Sequence, residues 1–404
     1  MQILKFGGKS LANGKGLETV LSIISNKVAQ GQEIAVVVSA RDKATDQLES
    51  MLERAARGED ISGDFTAFKE YQIAGEDIDF SEEFSVLQRI FDGVSLLGDY
   101  NDKIKDNTLA QGEVLSAKYV AHLLRKRGIQ AAFADSRQFY VTNSLFGNAQ
   151  LQDGVSHKRT LDYFAQFPKG TTPIVTGFIA ANELGQTTTL GRNGSNYSAS
   201  ILANILNAEE LQNYTHVDGI FTANPELVAD AKIIERLSFE EANELANFGT
   251  SILHAKTIIP LLEKKIPLRI LNTFKPNDAG TLICEAQDSI GGIRAISVLE
   301  NYALVILEGR GLLGKVGVDA RIFRALAQAQ ISVSIISQGS SERGIGFLVT
   351  NKDAHKAKQA LEKEFESDVY SHDVSGVSLV EEVGVVSIVG QNLADFDKPY
   401  NALI

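Results

Sequence analysis

The sequence has one cysteine, Cys284, among 404 residues. A single thiol forms neither an internal disulfide nor a thiolate metal cluster, and such usage is typical of a reducing compartment. No apolar run approaches the roughly 20 residues that a membrane-spanning helix needs. The chain opens directly on a predicted strand, 2–6, rather than on the cationic and long apolar segments of a signal peptide. These absences predict a cytoplasmic protein that makes no use of a membrane.

Positive charge is scarce as well. The 39 Lys and Arg residues are outnumbered by 51 Asp and Glu residues, which gives a formal net charge of −12. An acidic surface repels phosphate backbones, so the charge disfavours nucleic acid as a partner but allows a local basic pocket for one phosphorylated ligand. Hydrophobic residues make up 44% of the chain, which indicates an ordinary globular protein, and its length suits two or three domains.

Signatures of metal binding and of nucleophilic catalysis are also missing. The six histidines are scattered, and no pair has the spacing of zinc ligands, so the sequence predicts no metal site built from protein side chains. There is no G-x-S-x-G elbow and no plausible pairing of the cysteine with a histidine.

Short apolar runs alternate with helical patterns over residues 1–285. Fully apolar strands in such an alternation predict an α/β domain with a mostly parallel sheet covered on both faces. Beyond the opening strand, we predict strands at 34–38, 130–133, 172–176, 214–217 and 267–271, and helices at 17–30, 46–57, 84–97, 111–127, 195–206 and 238–247. The acidic segment 50–108 is predicted to be a mostly helical cap or insertion.

The sequence changes character after residue 285, and residues 286–380 are predicted to form a small α+β unit. Its predicted strands are 294–299, 302–308, 331–337, 345–350 and 373–380, with helices at 317–329 and 353–365. The run 303–309 resembles 383–390, which predicts that 381–404 is the start of a second, truncated copy of this unit. Chance similarity between two strands is the alternative.

Glycine and polar residues form turns in the segments 5–10, 190–196 and 215–221. The first and third lie at the ends of predicted strands, and the second follows the polar run 186–189 and precedes a predicted helix. The first imitates the end of a P-loop, but the glycine that a P-loop requires five positions before Gly8 is Ile3. Each segment alone also fits a plain turn or a capped surface helix. Because ligands of open α/β sheets bind outside the carboxyl ends of the strands, the three segments together predict one crevice.

A fourth glycine motif, 309–314, matches the G-x-G-x-x-G pattern of dinucleotide-binding proteins. The next predicted strand ends in Ser337-Gln338, without the acidic residue that holds a ribose, and the unit is too small for a nucleotide-binding half. The dinucleotide interpretation is therefore disfavoured.

In their order along nearly the whole chain, these motifs resemble those of the aspartate kinase family. The matching segments are Lys5–Ser10, Val38–Ala40 with Thr45, Gly112–Glu113, Leu190–Asn196, Tyr214–Thr222 and Phe248–His254. The resemblance implies the amino-acid-kinase fold and transfer of the γ-phosphoryl group of ATP to the β-carboxylate of aspartate. This reaction is the first step towards lysine, threonine and methionine.

The resemblance also implies roles for individual residues. Lys5 would stabilise the migrating phosphoryl group, with Asn196 at a second catalytic position. Four residues would bind aspartate, with the last on its α-carboxylate: Ser39, Thr45, Glu113 and Arg192. The ATP site would be lined by Gly7, Gly8, Lys9, Thr215, His216, Gly219 and Phe221, and magnesium would bridge the phosphates.

The unit after residue 285 is similar to an ACT domain, a regulatory domain that binds amino acids. The run Ile335–Glu342 looks closer to the threonine-inhibited branch that is fused to homoserine dehydrogenase than to lysine-sensitive enzymes. Gln338 would then contact threonine, and the chain would be the kinase and part of the regulatory region of a longer polypeptide. ACT units usually pair, so a homodimer or higher homo-oligomer is expected.

Seven residues depart from the family pattern: Lys9 for threonine, Asn196, His216 and Asn224 for aspartate, Phe221 for tyrosine, Glu226 for arginine and Ser251 for lysine. We hypothesise that Lys9 replaces the lysine missing at Ser251 and that Asn196 offsets the added positive charge. One alternative is a catalytically weak pseudokinase that senses threonine. A kinase for glutamate, acetylglutamate or uridylate is another, which the contexts of Glu113 and Arg192 and the ACT-like unit disfavour.

Overall fold

The structure is a computed structural model that describes residues 1–247, 254–285, 292–309, 316–338 and 344–391. The chain forms two compact units, the first built on residues 1–294 and the second on residues 295–389. No helix of the described residues is both long and apolar enough to cross a membrane.

Eight described strands form the main sheet of the first unit, and three more form a small sheet. The strands are β1 (Gln2–Phe6), β2 (Ile34–Val38), β3 (Ala131–Ala134), β4 (Val141–Thr142), β5 (Thr172–Thr176), β6 (Ile179–Asn182), β7 (Thr187–Thr189), β8 (Glu210–Thr215), β9 (Arg236–Ser238), β10 (Leu268–Asn272) and β11 (Thr281–Cys284). The main sheet has the order β3-β5-β2-β1-β8-β10-β11-β9, and the small sheet has the order β4-β6-β7. From β3 to β10 the main sheet is parallel, and β11 pairs antiparallel with β10.

Strand β8 lies in the centre of the sheet although its sequence is polar. The predicted strand 214–217 was wrong, because β8 runs over Glu210–Thr215 and the residues after it form a turn. The buried amides Gln212 and Asn213 remove the apolar pattern that the prediction used. Strands β1, β2 and β5 keep that pattern and lie where the sequence predicts them.

The described helices of the first unit are α1 (Lys15–Ala29), α2 (Ala44–Ala56), α3 (Ser62–Ile73), α4 (Ser81–Leu97), α5 (Asp102–Lys126), α6 (Asp153–Phe164), α7 (Gly194–Ile205), α8 (Phe239–Asn247) and α9 (Ala255–Lys264). Helices α1 and α5 share one apolar core with Leu4 and Phe6 of β1. Helix α7 contacts β1, β2 and β8.

The predicted helical cap corresponds to α2, α3, α4 and the start of α5. Its interior is aromatic, and the rings of Phe65 and Phe91 meet edge to face with centroids 5.4 Å apart. The loop after β2 is anchored to the cap by Arg41, which is fully buried. Its Nη2 donates to the carbonyl of Tyr71 over 2.6 Å, and its guanidinium lies 3.8 Å from the ring centroid of Tyr119.

The second unit contains β12 (Gly292–Glu308, which begins in the first unit), α10 (Val318–Gln328), β13 (Ile335–Gln338), β14 (Gly344–Thr350), α11 (Ala354–Glu364), α12 (Glu366–Tyr370) and β15 (Gly376–Gln391). Its sheet has the order β13-β14-β12-β15, and α10 and α11 share a buried core with it. The two predicted strands between 294 and 308 are one strand, and the strand predicted at 331–337 is restricted to β13.

The residues from 381 to 391 continue β15, with a positive φ of 57° at Glu382. The rest of the predicted second copy, 392–404, lies outside the described residues, and so do residues 310–314 of the fourth glycine motif. The second copy therefore stays a prediction.

The turn before β11 gives a test of this packing. Gly280 has a φ of +62°, and a Cβ there would lie 1.9 Å from the carbonyl oxygen of Ile270. We expect Gly280→Ala to cost roughly 3 kcal/mol or more, because backbone strain adds to a clash with backbone. Gly31→Ala is the matched control, since Gly31 has a φ of +74° but no atom within 4 Å of a Cβ. Its cost should be about 1 kcal/mol. Equal melting temperatures of the two variants in calorimetry would contradict the packing argument.

Candidate active site

A cavity of about 750 Å³ lies beside the carboxyl ends of β1 and β2. Six residues predicted from the sequence line it: Lys5, Ser39, Thr45, Glu113, Arg192 and Asn196. They come from β1, the loop after β2, α2, α5 and the segment from β7 into α7. The structure therefore brings together the predicted catalytic pair and all four predicted aspartate ligands.

Lys5 contributes a buried cation to this cavity. Its residue is only 8% exposed, and burial lowers the pKa of its ammonium group to about 8. No carboxylate within the described ranges forms an ion pair with it. A Cβ at position 7 would lie 3.5 Å from the Nζ of Lys5, an ordinary contact distance, so Gly7 packs beside the ammonium group. A cation desolvated without a protein partner is suited to an anionic ligand.

Glu113 contributes a buried carboxylate with one oxygen that has no hydrogen-bond partner among the described residues. Its Oε1 accepts a hydrogen bond from the backbone N–H of Ala40 over 3.1 Å, while Oε2 is buried and has no partner in the described part of the chain. Burial raises the pKa of this carboxyl to about 8, although the bond from Ala40 opposes the rise. Buried polar atoms are rarely left without a partner, so Oε2 is suited to a donor brought by a ligand.

The contact between α5 and the loop after β2 requires a glycine at position 112. A Cβ there would lie 2.9 Å from the Cβ of Ala40. A side chain at position 112 would therefore push the helix away from the loop and stretch the bond from Ala40 to Glu113.

Arg192 and the start of α7 form another part of the cavity wall. Arg192 is exposed, and the next residue, Asn193, adopts a φ of +58° at the N-cap of α7 without a side-chain capping bond. The Oδ1 of Asn196 is buried, and no partner for it occurs among the residues that the structure describes. An arginine fork next to a helix N-terminus favours an anion, here one the size of a carboxylate.

The predicted nucleotide residues lie in neighbouring loops and do not line the cavity of Lys5. The N–H of Gly7 donates to the carbonyl of Tyr214 over 3.3 Å, which holds the loop after β1 against the end of β8. Burial lowers the pKa of the His216 imidazole, and the positive charge of the nearby Lys9 lowers it further. Lys9, Thr215 and His216 therefore lie at adjacent strand ends.

Two close contacts shape these loops. A Cβ on Gly8 would lie 2.8 Å from the carbonyl oxygen of Ala40, and a Cβ on Gly219 would lie 2.7 Å from the Oγ1 of Thr281. Phe221 is half-buried and pairs with Ile233 in an isolated antiparallel bridge. Ser251, where the family has a lysine, lies outside the described residues.

Sequence reasoning missed a buried carboxylate of the cavity wall, that of Asp106. It lines the cavity, is 1% exposed and accepts hydrogen bonds from Gly147 and Thr189. Its position gave one usable signal. Asp106 precedes Glu113 by about two helical turns, so both side chains lie on the same face of α5.

Comparison with known proteins decides the family. The sequence pattern described as the Amino acid kinase family matches residues 1–272, and that of an ACT domain matches residues 305–365. The lysine-sensitive aspartokinase 3 of Escherichia coli is 30% identical over 83% of this chain and 75% of its own length. The chain belongs to the aspartokinases of the amino acid kinase family. The predicted family and fold class, an amino-acid-kinase fold followed by an ACT domain, are confirmed.

Other aspartokinases cover more of the chain. The bifunctional aspartokinase/homoserine dehydrogenase of Haemophilus influenzae is 32% identical over 97% of this chain and 50% of its own length. This aspartokinase chain thus spans about half the length of such bifunctional relatives. The structure of E. coli aspartokinase III in complex with aspartate and ADP superposes with a TM-score of 0.82 at 27% identity, covering 98% of this chain and 89% of that one. These relatives give no support to the pseudokinase alternative.

The electrostatic cost of the site is testable with Glu113→Gln. The pKa of Glu113 is raised from 4.5 to about 8, so between these values the folded state holds a proton that the unfolded state has lost. Stability therefore falls as pH rises through this window, and the cost is complete above about pH 8. We expect Glu113→Gln to be more stable than the wild type at pH 9, by on the order of 2–4 kcal/mol, and nearly equal at pH 5.

Melting temperatures at both pH values measure this effect. Glu49→Gln is the matched control, because Glu49 lines the same cavity but is only half-buried and pairs with Lys105. A pH-independent difference between Glu113→Gln and the wild type would contradict the assignment.

Proposed function

We propose that this aspartokinase chain transfers the γ-phosphoryl group of ATP to the β-carboxylate of L-aspartate. The observation that carries the proposal is the cavity in which Lys5, Glu113 and Arg192 come together from separate elements. These three residues offer an ammonium group, a carboxyl group and a guanidinium, which is the set that a dicarboxylic amino acid and a migrating phosphoryl group require.

Aspartate would bind through its charged groups. Its ammonium group would donate to the free Oε2 of Glu113, and its α-carboxylate would accept from Arg192 at the start of α7. Ser39 and Thr45 line the same cavity and offer hydroxyl donors. Its β-carboxylate would then be directed towards Lys5.

The chemistry needs little beyond this positioning. A carboxylate is already nucleophilic at neutral pH, so no general base is needed to activate it. The ammonium group of Lys5 would neutralise negative charge on the phosphoryl group as it passes between the two substrates. Catalysis then consists of alignment and charge stabilisation in a buried site.

ATP would bind at the loops after β1 and β8, with Gly7 and Gly8 allowing close approach of its phosphates. Gly219, Phe221, Thr215 and His216 would line the rest of the nucleotide site.

Magnesium fits this arrangement as an ion that arrives with the nucleotide. No group of three or more His, Cys, Asp or Glu side chains suited to a metal occurs among the described residues, and Mg²⁺ in kinases is held largely by phosphates and water. When bound, it would neutralise phosphate charge.

We further propose threonine as the feedback effector, with Gln338 as a contact. Gln338 is exposed at the last residue of β13, where its amide is accessible to a small ligand. The E. coli relative is named as lysine-sensitive, so lysine is the alternative effector. Four further points stay predictions: a homo-oligomer, a cytoplasmic location, the domain boundaries 285 and 380, and a homoserine dehydrogenase region in the same polypeptide.

Magnesium-dependent ADP release tests the proposed function. We expect turnover with L-aspartate and background rates with L-glutamate, because one added methylene would move the acceptor carboxylate away from Lys5. Threonine but not lysine should inhibit.

Arg192→Lys should raise the KM for aspartate by roughly tenfold or more, because an ammonium cannot form a bidentate bond to the α-carboxylate. Folded protein that binds ATP without aspartate-dependent turnover would contradict the proposal.

Lys9→Thr tests whether Lys9 replaces the lysine missing at Ser251. Lys9 is exposed beside His216, so we propose that its charge acts on the phosphates of ATP. We expect the KM for ATP to rise about tenfold while the KM for aspartate is unchanged. Lys15→Thr is the matched control, since Lys15 is an exposed lysine a few residues along the chain. Full activity of Lys9→Thr at low ATP would rule out the substitution hypothesis.

A further inference from the structure

We propose that Asp106 is a positioning residue that sets the affinity of the site for aspartate by fixing the loop that carries Arg192. The inference rests on the proposed function and assigns Asp106 a role that the sequence motifs do not. Asp106 lies on α5, the helix that also carries Glu113, whereas Arg192 follows β7. A bond from Asp106 to the loop would therefore fix the distance between Glu113 and Arg192, the two residues proposed to bind the ammonium group and the α-carboxylate of aspartate.

The carboxylate of Asp106 joins two loops. Its Oδ2 accepts from the backbone N–H of Gly147 over 2.9 Å and from the backbone N–H of Thr189 over 2.9 Å. Its Oδ1 accepts from the hydroxyl of Thr189 over 2.7 Å. Bonds to an ionised acceptor are about twice as strong as neutral ones, so this cluster holds both loops to α5.

The two loops are also joined to each other. The N–H of Ala149 donates to the carbonyl of Thr189 over 2.8 Å. Gly191 adopts a φ of +76°, and a Cβ there would lie 2.5 Å from the Oδ1 of Asn148. Arg192 follows directly, so its backbone cannot shift independently of the contacts that Asp106 organises.

The electrostatics favour positioning over direct catalysis. No described cation pairs with Asp106, because the neighbouring Lys105 pairs with Glu49. Burial raises the pKa of the Asp106 carboxyl, the bonds from Gly147 and Thr189 oppose that rise, and Asp102 adds like charge. The other charged groups that line the cavity are Lys5, Asp46, Glu113 and Arg192. A buried carboxylate that already accepts three hydrogen bonds has little capacity left for substrate.

The test compares Asp106→Ala, Asp106→Asn and Asp102→Asn in the full chain. Asp106→Ala removes all three bonds, so we expect the KM for aspartate to rise about 30-fold or more and the KM for ATP to change less than about twofold. Asp106→Asn keeps an oxygen for both N–H groups, and the Thr189 hydroxyl can turn to accept from the new amide. We therefore expect it to recover most of the affinity, to within about fivefold of the wild type.

Asp102→Asn is the matched control for charge. Asp102 lies on the same helix and lines the same cavity, but it is exposed and, within the described part of the chain, forms no hydrogen bond to either loop. Its substitution should change the KM for aspartate much less than Asp106→Ala does. If Asp106→Ala does not fold, Thr189→Val removes only the 2.7 Å bond and should raise the KM for aspartate severalfold at a nearly unchanged melting temperature.

Three outcomes would overturn the inference. An unchanged KM for aspartate in Asp106→Ala, or in Thr189→Val where the first variant does not fold, removes the positioning role. Equal loss of kcat in Asp106→Asn and Asp106→Ala would make Asp106 a catalytic residue. If the wild type neither turns over L-aspartate nor binds it in calorimetry, the proposed function and this inference are overturned together. If the wild type is active and Asp106→Ala is unaffected, this inference alone is overturned.

Discussion

The hydrogen bond from the backbone of Ala40 to the carboxylate of Glu113 is the contact on which the rest of the site depends. It joins the end of β2 to α5, and it exists only because Gly112 allows the helix to approach the loop. Gly8 allows the same close approach from the side of β1. Three elements thus meet at Ala40, and the distances between the cation, the carboxylate and the hydroxyl groups of the cavity follow from that contact.

The ligand-free site is electrostatically expensive. Lys5 and Glu113 are both buried, and burial shifts the pKa of each towards its neutral form. No ion pair in the described part of the molecule compensates either group. A substrate that carries the complementary charges would supply the missing partners. The desolvation penalty of burying these two groups would then be offset when the substrate binds.

The sequence was sufficient where a local pattern carried the information. Apolar runs predicted β2 and β5, and glycine next to polar residues in the segments 5–10 and 190–196 predicted that Lys5 and Arg192 would share one crevice. Glu113 was assigned to the site only through the resemblance to a known family. It was insufficient where buried polar residues replace the apolar pattern, as in β8 with Gln212 and Asn213. Asp106 was missed for a related reason, because its value depends on backbone N–H groups of distant loops, and these groups leave no trace in residue identity.

Arg41 has a consequence for how the protein opens. Its guanidinium and the side chain of Asn13 both donate to the carbonyl of Tyr71, at the end of α3. The segments that follow β1 and β2 are therefore tied to one point of the helical cap, and the segment after β2 cannot leave this point without exposing a buried guanidinium. Amide hydrogens next to Arg41 should therefore exchange with solvent through the same rare event that exposes the core, rather than through independent fraying of the loop.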